Sequence, residues 1–131
     1  MNEYAASVAG QPLRLRCVRM GEDICLTLCG GEREHMGAVA VAQPRPSRAD
    51  PARTSATASV VALPGHQEDM LARELALKVA ATLNVAVCVA CGIHLRHPTP
   101  AMLDEALTAS RDLVDAFLAE MHSTNPGQGT P

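Results

Sequence analysis

Histidine occurs in three short glycine-marked segments of the chain, and each segment comes directly after a predicted β-strand. The segments are Gly30-Gly31-Glu32-Arg33-Glu34-His35, Pro64-Gly65-His66 and Gly92-Ile93-His94. Imidazole titrates near neutral pH and both donates and accepts hydrogen bonds, so it suits ligand binding or acid–base chemistry. One loop histidine is more often a solvated or turn-capping residue. The three therefore matter as a group, if the fold brings them together.

The elements that must position these segments are five predicted strands and two predicted helices. Alternating apolar residues predict strands over 13–18, 24–29, 37–42 and 58–63, and β-prone residues predict a fifth over 85–91. A four-residue apolar spacing predicts a helix over 67–83, and Thr99-Pro100 begins a second helix over 100–121. The order β-β-β-β-α-β-α predicts an α+β fold, with one mostly antiparallel sheet and two helices on one face.

The direction of the strands predicts that the three histidine segments meet. If the first four strands form an up-and-down meander, the second and fourth end at the same edge of the sheet. A helical crossover makes the fifth strand parallel to the fourth, so it ends at that edge as well. The segment at Gly65-His66 also opens the first helix, whose free N–H groups can bind a phosphate. We therefore predict one pocket that contains His35, His66 and His94.

The remaining parts of the chain are assigned by composition. We expect residues 1–12 to be an N-terminal extension, 13–122 to be one domain and 123–131 to be a disordered tail. Residues 43–57, rich in proline, arginine and small polar residues, predict a mobile surface loop. Alternating alanines at 38, 40 and 42, and at 86 and 90, would let a second subunit approach the uncovered sheet face, so we expect a homodimer that buries this face.

Bulk composition argues against several classes of function. A net charge of −3 over 131 residues gives no basic excess for nucleic acid or an anionic membrane, and only Tyr4 and Phe117 are aromatic. No apolar run approaches the roughly 18 residues that span a bilayer, and the first 11 residues lack a signal-peptide pattern. Five cysteines, an odd number, favour reduced thiols. We expect a cytoplasmic protein.

Metal and catalytic motifs are weak. Cys88 and Cys91 are spaced like zinc ligands relative to His94 and His97, but residues three apart on a strand point to opposite faces, so no metal ligands are predicted. The sequence contains no nucleophile elbow, phosphate-binding P-loop or dinucleotide fingerprint. His66, Asp69 and His94 suit acid–base work, yet no nucleophile accompanies them and no catalytic residue is assigned.

Several motifs together resemble a bacterial family. They are Gly30-Gly31-Glu32-x-x-His35-x-Gly37-Ala38-Val39-Ala40, Ser59-Val60-x-x-Leu63-Pro64-Gly65-His66-x-x-Asp69, Cys91-Gly92-Ile93-His94 and Thr99-Pro100. The resemblance is to the LpdD-like accessory subunit of gallate and related UbiD-type aromatic acid decarboxylases, and it covers roughly residues 13–121. The family is described as a prenylated-flavin chaperone-like domain, and its fold is similar to that of proteasome assembly chaperones.

The resemblance implies a non-catalytic protein that binds or delivers prenylated FMN or FMN and assists a UbiD-type decarboxylase, together with a flavin prenyltransferase. Main-chain N–H groups from Gly65 to Asp69 would hold the phosphate, with help from Arg73. His35, His66 and His94 would bond to the ring or the ribityl chain, beside Gly92. Two alternatives stay open: a protein-interaction scaffold with no small ligand, and a small histidine-based metal-dependent or acid–base enzyme.

Overall fold

A computed structural model describes residues 2–63 and 68–124, and it contains six strands and two helices. The strands are β1 (Asn2–Val8), β2 (Gln11–Met20), β3 (Asp23–Gly31), β4 (Ala38–Pro46), β5 (Thr54–Ala62) and β6 (Val87–His94). The helices are α1 (Asp69–Leu83), between β5 and β6, and α2 (Pro100–Thr124). The fold is α+β, as predicted.

The sheet has the order β1-β2-β3-β6-β4-β5. Four of its neighbouring pairs are antiparallel and one, β3 with β6, is parallel, so the sheet is mostly antiparallel. The predicted meander is wrong at one point, because β6 lies between β3 and β4. Val87, Val89 and Cys91 on β6 are all buried, and apolar strands of this kind favour the centre of a sheet.

Strand β1 was missed, and the predicted element order needs one more β at its start. Residues 2–8 alternate only weakly because Ala5, Ala6 and Ser7 are small, and only Val8 on this strand is fully buried. The turn to β2 is Ala9-Gly10, both with positive φ (51° and 77°), as a two-residue hairpin of this twist requires. The segment assigned as an extension is thus an edge strand of the sheet.

The predicted mobile loop at 43–57 is also mostly strand. β4 and β5 pair from Ala38 with Ala62 to Pro46 with Thr54, and only residues 47–53 form the turn. Pro44 and Pro46 lie beyond Ala42, the last residue of β4 that pairs with β6. The N–H groups that these prolines lack would face the β6 side, where β4 has no partner strand at this point, so no hydrogen bond is lost. Proline content was therefore a poor guide to disorder here.

The helices begin and end close to their predicted limits. At the start of α2 the Met102 N–H donates to Thr99 Oγ1 (3.2 Å), as an N-cap should. α1 ends at Asn84, which has left-handed φ and ψ (56°, 44°) and donates its N–H to the Ala80 carbonyl (2.9 Å). Neither helix, within the part of the chain the structure covers, is long and apolar enough to cross a bilayer.

The core consists of buried helix residues and one set of alternating strand residues. α1 packs on β4, β5 and β6, whereas α2 packs on β1 and β2. The largest fully buried side chains of the core include Phe117, Leu13, Leu15, Leu26 and Leu28. The alanines at 38, 40 and 42 are fully buried in this core, which corrects the expectation that they line the uncovered face. Alanines 72, 76 and 80 of α1 are buried with them, and small residues on both sides permit close packing.

The alternate strand residues form the other face of the sheet, which we call the open face. It carries Arg14, Arg16, Val18, Cys25, Thr27, Cys29, Val39, Val41, Val61, Cys88 and Ala90. Its exposed large apolar residues are Val41 and Val61 on the β4–β5 side (46% and 68% exposed) and Val18 on β2 (51% exposed). Charged residues occupy the β1–β2 side, so the open face is less apolar than the sequence predicts.

Candidate functional site

Strands β3, β5 and β6 run in the same direction and end at the same edge of the sheet. β6 is parallel to β3 and antiparallel to β4, which is itself antiparallel to β5. The last residues of β3, β5 and β6 therefore lie at one edge, as predicted from strand direction. One detail is corrected: Gly92, Ile93 and His94 belong to β6 itself, and His94 pairs with Gly31.

Glycine is required at two positions of this edge because backbone passes directly over it. A Cβ at Gly92 would lie 1.7 Å from the His35 carbonyl oxygen, and a Cβ at Gly31 would lie 1.9 Å from the His94 carbonyl oxygen. Gly31 also has a φ of 87°, which other residues rarely adopt. The glycines thus bring the 32–37 segment onto the end of β6, and this contact sets the position of His35.

A cluster of two histidines and one carboxylate lies where these segments meet. His35 Nε2 is 3.3 Å from Glu68 Oε1, and the rings of His35 and His94 are edge-to-face with centroids 5.9 Å apart. The side chains of His35 and Glu68 are only 12% and 14% exposed. The Ile93 N–H donates to Glu68 Oε1 (3.3 Å), which ties the residue before α1 to β6. We call these three residues the His35–Glu68–His94 cluster.

Glu68 is the member of the cluster that the sequence did not predict as a site residue. The sequence placed it in the first helical turn, where acidic residues are common and need no ligand. In the structure it is the N-cap residue of α1 without a side-chain capping bond, and its carboxylate turns to His35 and lies against Gly37. Its position directly after a predicted binding turn was the only available signal.

Further hydrogen bonds hold the edge together. The Glu32 N–H donates to the His94 carbonyl (2.9 Å), and the Arg96 N–H donates to Glu32 Oε2 (2.8 Å). The Gly37 N–H donates to the Cys91 carbonyl (2.9 Å). These bonds fix the 32–37 segment, which contains His35, to the end of β6, which contains His94. A site whose backbone is fixed in this way is preorganised for a ligand.

The other predicted site residues differ in their placement. Gly65 and His66 lie outside the described residues. Asp69 is the first residue of α1, directly beside Glu68 in sequence, and Arg73 is exposed one turn further along the helix. No contact between Arg73 and the cluster is present among the described side chains. The structure therefore brings together His35, Gly92 and His94, and Asp69 follows Glu68 of the cluster directly in the chain.

The thiol of Cys91 is buried near Glu68 of the cluster and is unreactive at neutral pH. Burial, together with the nearby charges of Glu68 and the Cys29 thiol, raises the pKa of Cys91 to about 12. At neutral pH this thiol stays protonated, and a protonated thiol is a poor nucleophile and a poor metal ligand. Among the described residues, no three His, Cys, Asp or Glu side chains are placed to hold a metal ion. The arrangement favours hydrogen bonding to a ligand.

A separate pocket of the described residues lies away from the cluster. It has a volume of about 680 Å³ and is formed at the opposite end of the sheet by the β2–β3 turn and the C-terminal ends of α1 and α2, with Arg19, Asn84 and His122 in its lining. It touches none of the predicted site residues. We give more weight to the cluster, because its polar groups converge while the pocket is a broad hollow between exposed ends.

Comparison with known proteins identifies a family. The family model of the prenylated flavin chaperone LpdD-like domain matches residues 7–122. No curated protein matches the chain. The match includes β2 to β6, α1, all but the last two residues of α2, and all three residues of the His35–Glu68–His94 cluster. The chain belongs to the prenylated flavin chaperone LpdD-like domain family.

Proposed function

We propose that this protein binds prenylated FMN or FMN at the strand-end edge and presents it to a flavin-dependent enzyme. The observation that carries the proposal is the His35–Glu68–His94 cluster, in a chain that belongs to a flavin chaperone family. The cluster offers imidazole groups, and Glu68 Oε2 is buried without a hydrogen-bond partner among the described residues. Buried polar atoms are nearly always paired, so an unpaired one favours a ligand that completes the site.

In this proposal the predicted residues contact two parts of the flavin, the ring with its ribityl chain and the phosphate. His35 and His94 bond to the polar edge of the isoalloxazine ring or to ribityl hydroxyls, and Gly92 leaves room for the backbone that carries His35. The phosphate lies at the N-terminus of α1, where the N-cap residue Glu68 makes no side-chain capping bond and leaves first-turn N–H groups open to a ligand. Main-chain N–H groups of Gly65 and Asp69 are the proposed donors. His66 and Arg73 extend this end of the site.

We propose that the recipient enzyme is a UbiD-type aromatic acid decarboxylase, and that the flavin is received from a flavin prenyltransferase in the cytoplasm. The LpdD-like family supports a chaperone role for prenylated flavin. All five cysteines of the protein are free thiols, which suits a reducing compartment. The protein itself is not assigned a reaction.

The test is decarboxylase activity in cells that express the decarboxylase and the prenyltransferase with or without this chain. Activity should rise when the chain is present, and the double variant His35→Ala/His94→Ala should lose the increase. His122→Ala is the matched control, because His122 is exposed at the far end of α2. Equal decarboxylase activity with and without the chain would contradict the proposal.

A second candidate, an assembly scaffold with no small ligand, is favoured by the exposed apolar residues. Val41, Val61 and Met36 are about half exposed or more, and we propose that both helices lie on one face and leave the open face free for a partner, which includes a second copy of this chain. A flavin absorption band in the purified protein would favour the first candidate. The scaffold would be favoured if the purified protein has no flavin band and the His35→Ala variant supports decarboxylase assembly as well as the wild type does.

A further inference from the structure

The outer edge of β5 presents unpaired backbone groups. Arg53 accepts a hydrogen bond from Ser47 through its carbonyl (2.8 Å), and the Leu63 N–H donates to the Gly37 carbonyl (2.9 Å), so odd-numbered residues of this segment bond to β4. Backbone direction alternates along an antiparallel strand, so the even-numbered residues direct their N–H and C=O groups away from β4. β5 is the last strand of the sheet, and no described strand lies beyond it.

Nothing in the sequence of β5 blocks this edge. Natural edge strands are protected by charged side chains, by proline or by bulges. The nine residues of β5, TSATASVVA, contain no charge and no proline, and their pairing with β4 is continuous from Thr54 to Ala62 without a bulge. The opposite edge strand, β1, is shorter and carries Glu3. β5 is therefore the better template for adding another strand.

We propose that two copies of this protein pair through β5 in antiparallel register about Ala58, and that each copy supplies Arg53 to the ligand site of the other. This register overlaps the strand completely and sets Ala56 opposite Val60 and Thr54 opposite Ala62. Every outward N–H then meets an outward carbonyl, for about ten new backbone hydrogen bonds. Any shifted register leaves outward groups at both ends unpaired.

The charges at the two ends of β5 favour a second copy as the occupant. Arg53, exposed, precedes the strand, while Glu68 and Asp69 follow soon after its other end. Antiparallel pairing about Ala58 sets Arg53 of the second copy opposite Leu63, one residue before the segment 64–67 that leads to Glu68. The positive end of each strand thus meets the negative end of the other, and the uncharged centre adds no repulsion.

The contribution of Arg53 rests on the proposed function. A guanidinium at this place would face the phosphate at the N-terminus of α1, where a planar donor group binds phosphate oxygens in pairs. Within one copy, the only arginine assigned to the site is Arg73, and it is exposed and not in contact with the cluster. The second copy therefore adds the cation that a flavin phosphate needs.

The pairing is tested by light scattering at about 50 µM, a concentration at which a standard-size interface is formed. The wild-type protein should be a dimer and Ala58→Pro a monomer, because proline removes the central outward N–H and leaves the β4 ladder intact. Val61→Lys is the control for the alternative dimer through the open face, and it should stay dimeric. A monomeric wild type, or a dimer that survives Ala58→Pro and dissociates with Val61→Lys, would overturn the edge pairing.

A second variant keeps the test decisive if Ala58→Pro does not fold. The register sets Thr57 opposite Ser59 of the second copy, both on the open face, so the double variant Thr57→Cys/Ser59→Cys should form a disulfide-linked dimer under mild oxidation. The single variant Thr57→Cys should not form this link in the same register. A double variant that stays monomeric on a non-reducing gel would reject the register.

The contribution of Arg53 is tested by mixing two defective proteins. Arg53→Ala should bind FMN about tenfold more weakly than wild type and should bind riboflavin, which has no phosphate, equally well. Mixed with His35→Ala and allowed to exchange subunits, it should recover FMN binding at about a quarter of the sites, because one site of each mixed dimer is intact. If Arg53→Ala binds FMN as tightly as the wild type, Arg53 does not contribute to the site. Wild-type protein that is dimeric but binds no FMN would refute the proposed function and leave the edge pairing in place.

Discussion

Replacing Gly92 with alanine should disrupt the strand-end edge more than its size suggests. The added Cβ would lie 1.7 Å from the His35 carbonyl oxygen and 2.6 Å from the carbonyl carbon, whereas ordinary contact begins at 3.4 Å. Both atoms are backbone, so no side-chain rotation relieves the clash. The 35–37 segment would have to move by roughly 1.5 to 2 Å, which is more than packed backbone tolerates without breaking contacts.

Two hydrogen bonds limit that movement. The Gly37 N–H donates to Cys91 and the Gly37 carbonyl accepts from Leu63, each at 2.9 Å, so the displaced segment loses contact with both β6 and β5. Overpacking of this kind costs about 1–3 kcal/mol. For a domain of this size we expect the melting temperature of Gly92→Ala to fall by roughly 4–12 °C. His35 would move with the segment, so FMN binding should fall as well.

Differential scanning calorimetry and an FMN titration measure the two effects. Ala90→Ser is the matched control, because it adds one heavy atom on the same strand and the same face, away from the 35–37 segment. Its melting temperature should change by less than about 2 °C. A Gly92→Ala protein with unchanged melting temperature and FMN affinity would show that the close approach of His35 to Gly92 is not a feature of the folded protein.

Three further predictions concern single groups. Asp69→Asn should raise the ratio of FMN to riboflavin affinity about two- to fivefold, because it removes a negative charge from the N-terminal end of α1, where the phosphate is proposed to bind. A lower ratio would show that the phosphate does not bind at that end. Cys91 should be the slowest thiol to react with iodoacetamide at pH 8, because burial raises its pKa to about 12, whereas the half-buried Cys25 should react readily. The hydrogen bond from Arg111 lowers the pKa of Glu74, so the stability from this pair should be complete above pH 4.5 and should disappear as pH falls below it. Thermal melts of wild type and Arg111→Ala should therefore differ at neutral pH and converge at low pH, and a difference that grows on acidification would contradict this sign.

The sequence predicted the parts of the fold that apolar periodicity and capping residues specify. The start of α2 at Thr99-Pro100 and the end of α1 at residue 83 are confirmed, because both depend on local backbone chemistry. β1 was missed because Ala5, Ala6 and Ser7 are small on both of its sides and blur the alternation, and the 43–57 segment was misassigned because proline sits on an unpaired side of β4. Long-range pairing, which placed β6 beside β3, leaves no local signal.

The convergence of three strand ends was predicted from strand direction, and it is present although the predicted strand order was wrong. Direction depends only on whether each connection reverses the chain, so the ends of β3, β5 and β6 share an edge in either order. Proximity of His35 and His94 follows from that edge. The role of Glu68 could not be predicted, because only the close approach of the backbone at Gly37 and Gly92 turns its carboxylate toward His35.

The most direct test of the account is an FMN and prenylated FMN titration of the purified protein, followed by flavin fluorescence. The wild-type protein should bind with saturation, and His35→Ala/His94→Ala should weaken binding at least tenfold while a cooperative thermal transition shows that the variant still folds. His122→Ala should bind like wild type. Saturable flavin binding that is unchanged in the double variant, or no binding by the wild-type protein at all, would contradict the assignment of the flavin site to the His35–Glu68–His94 cluster.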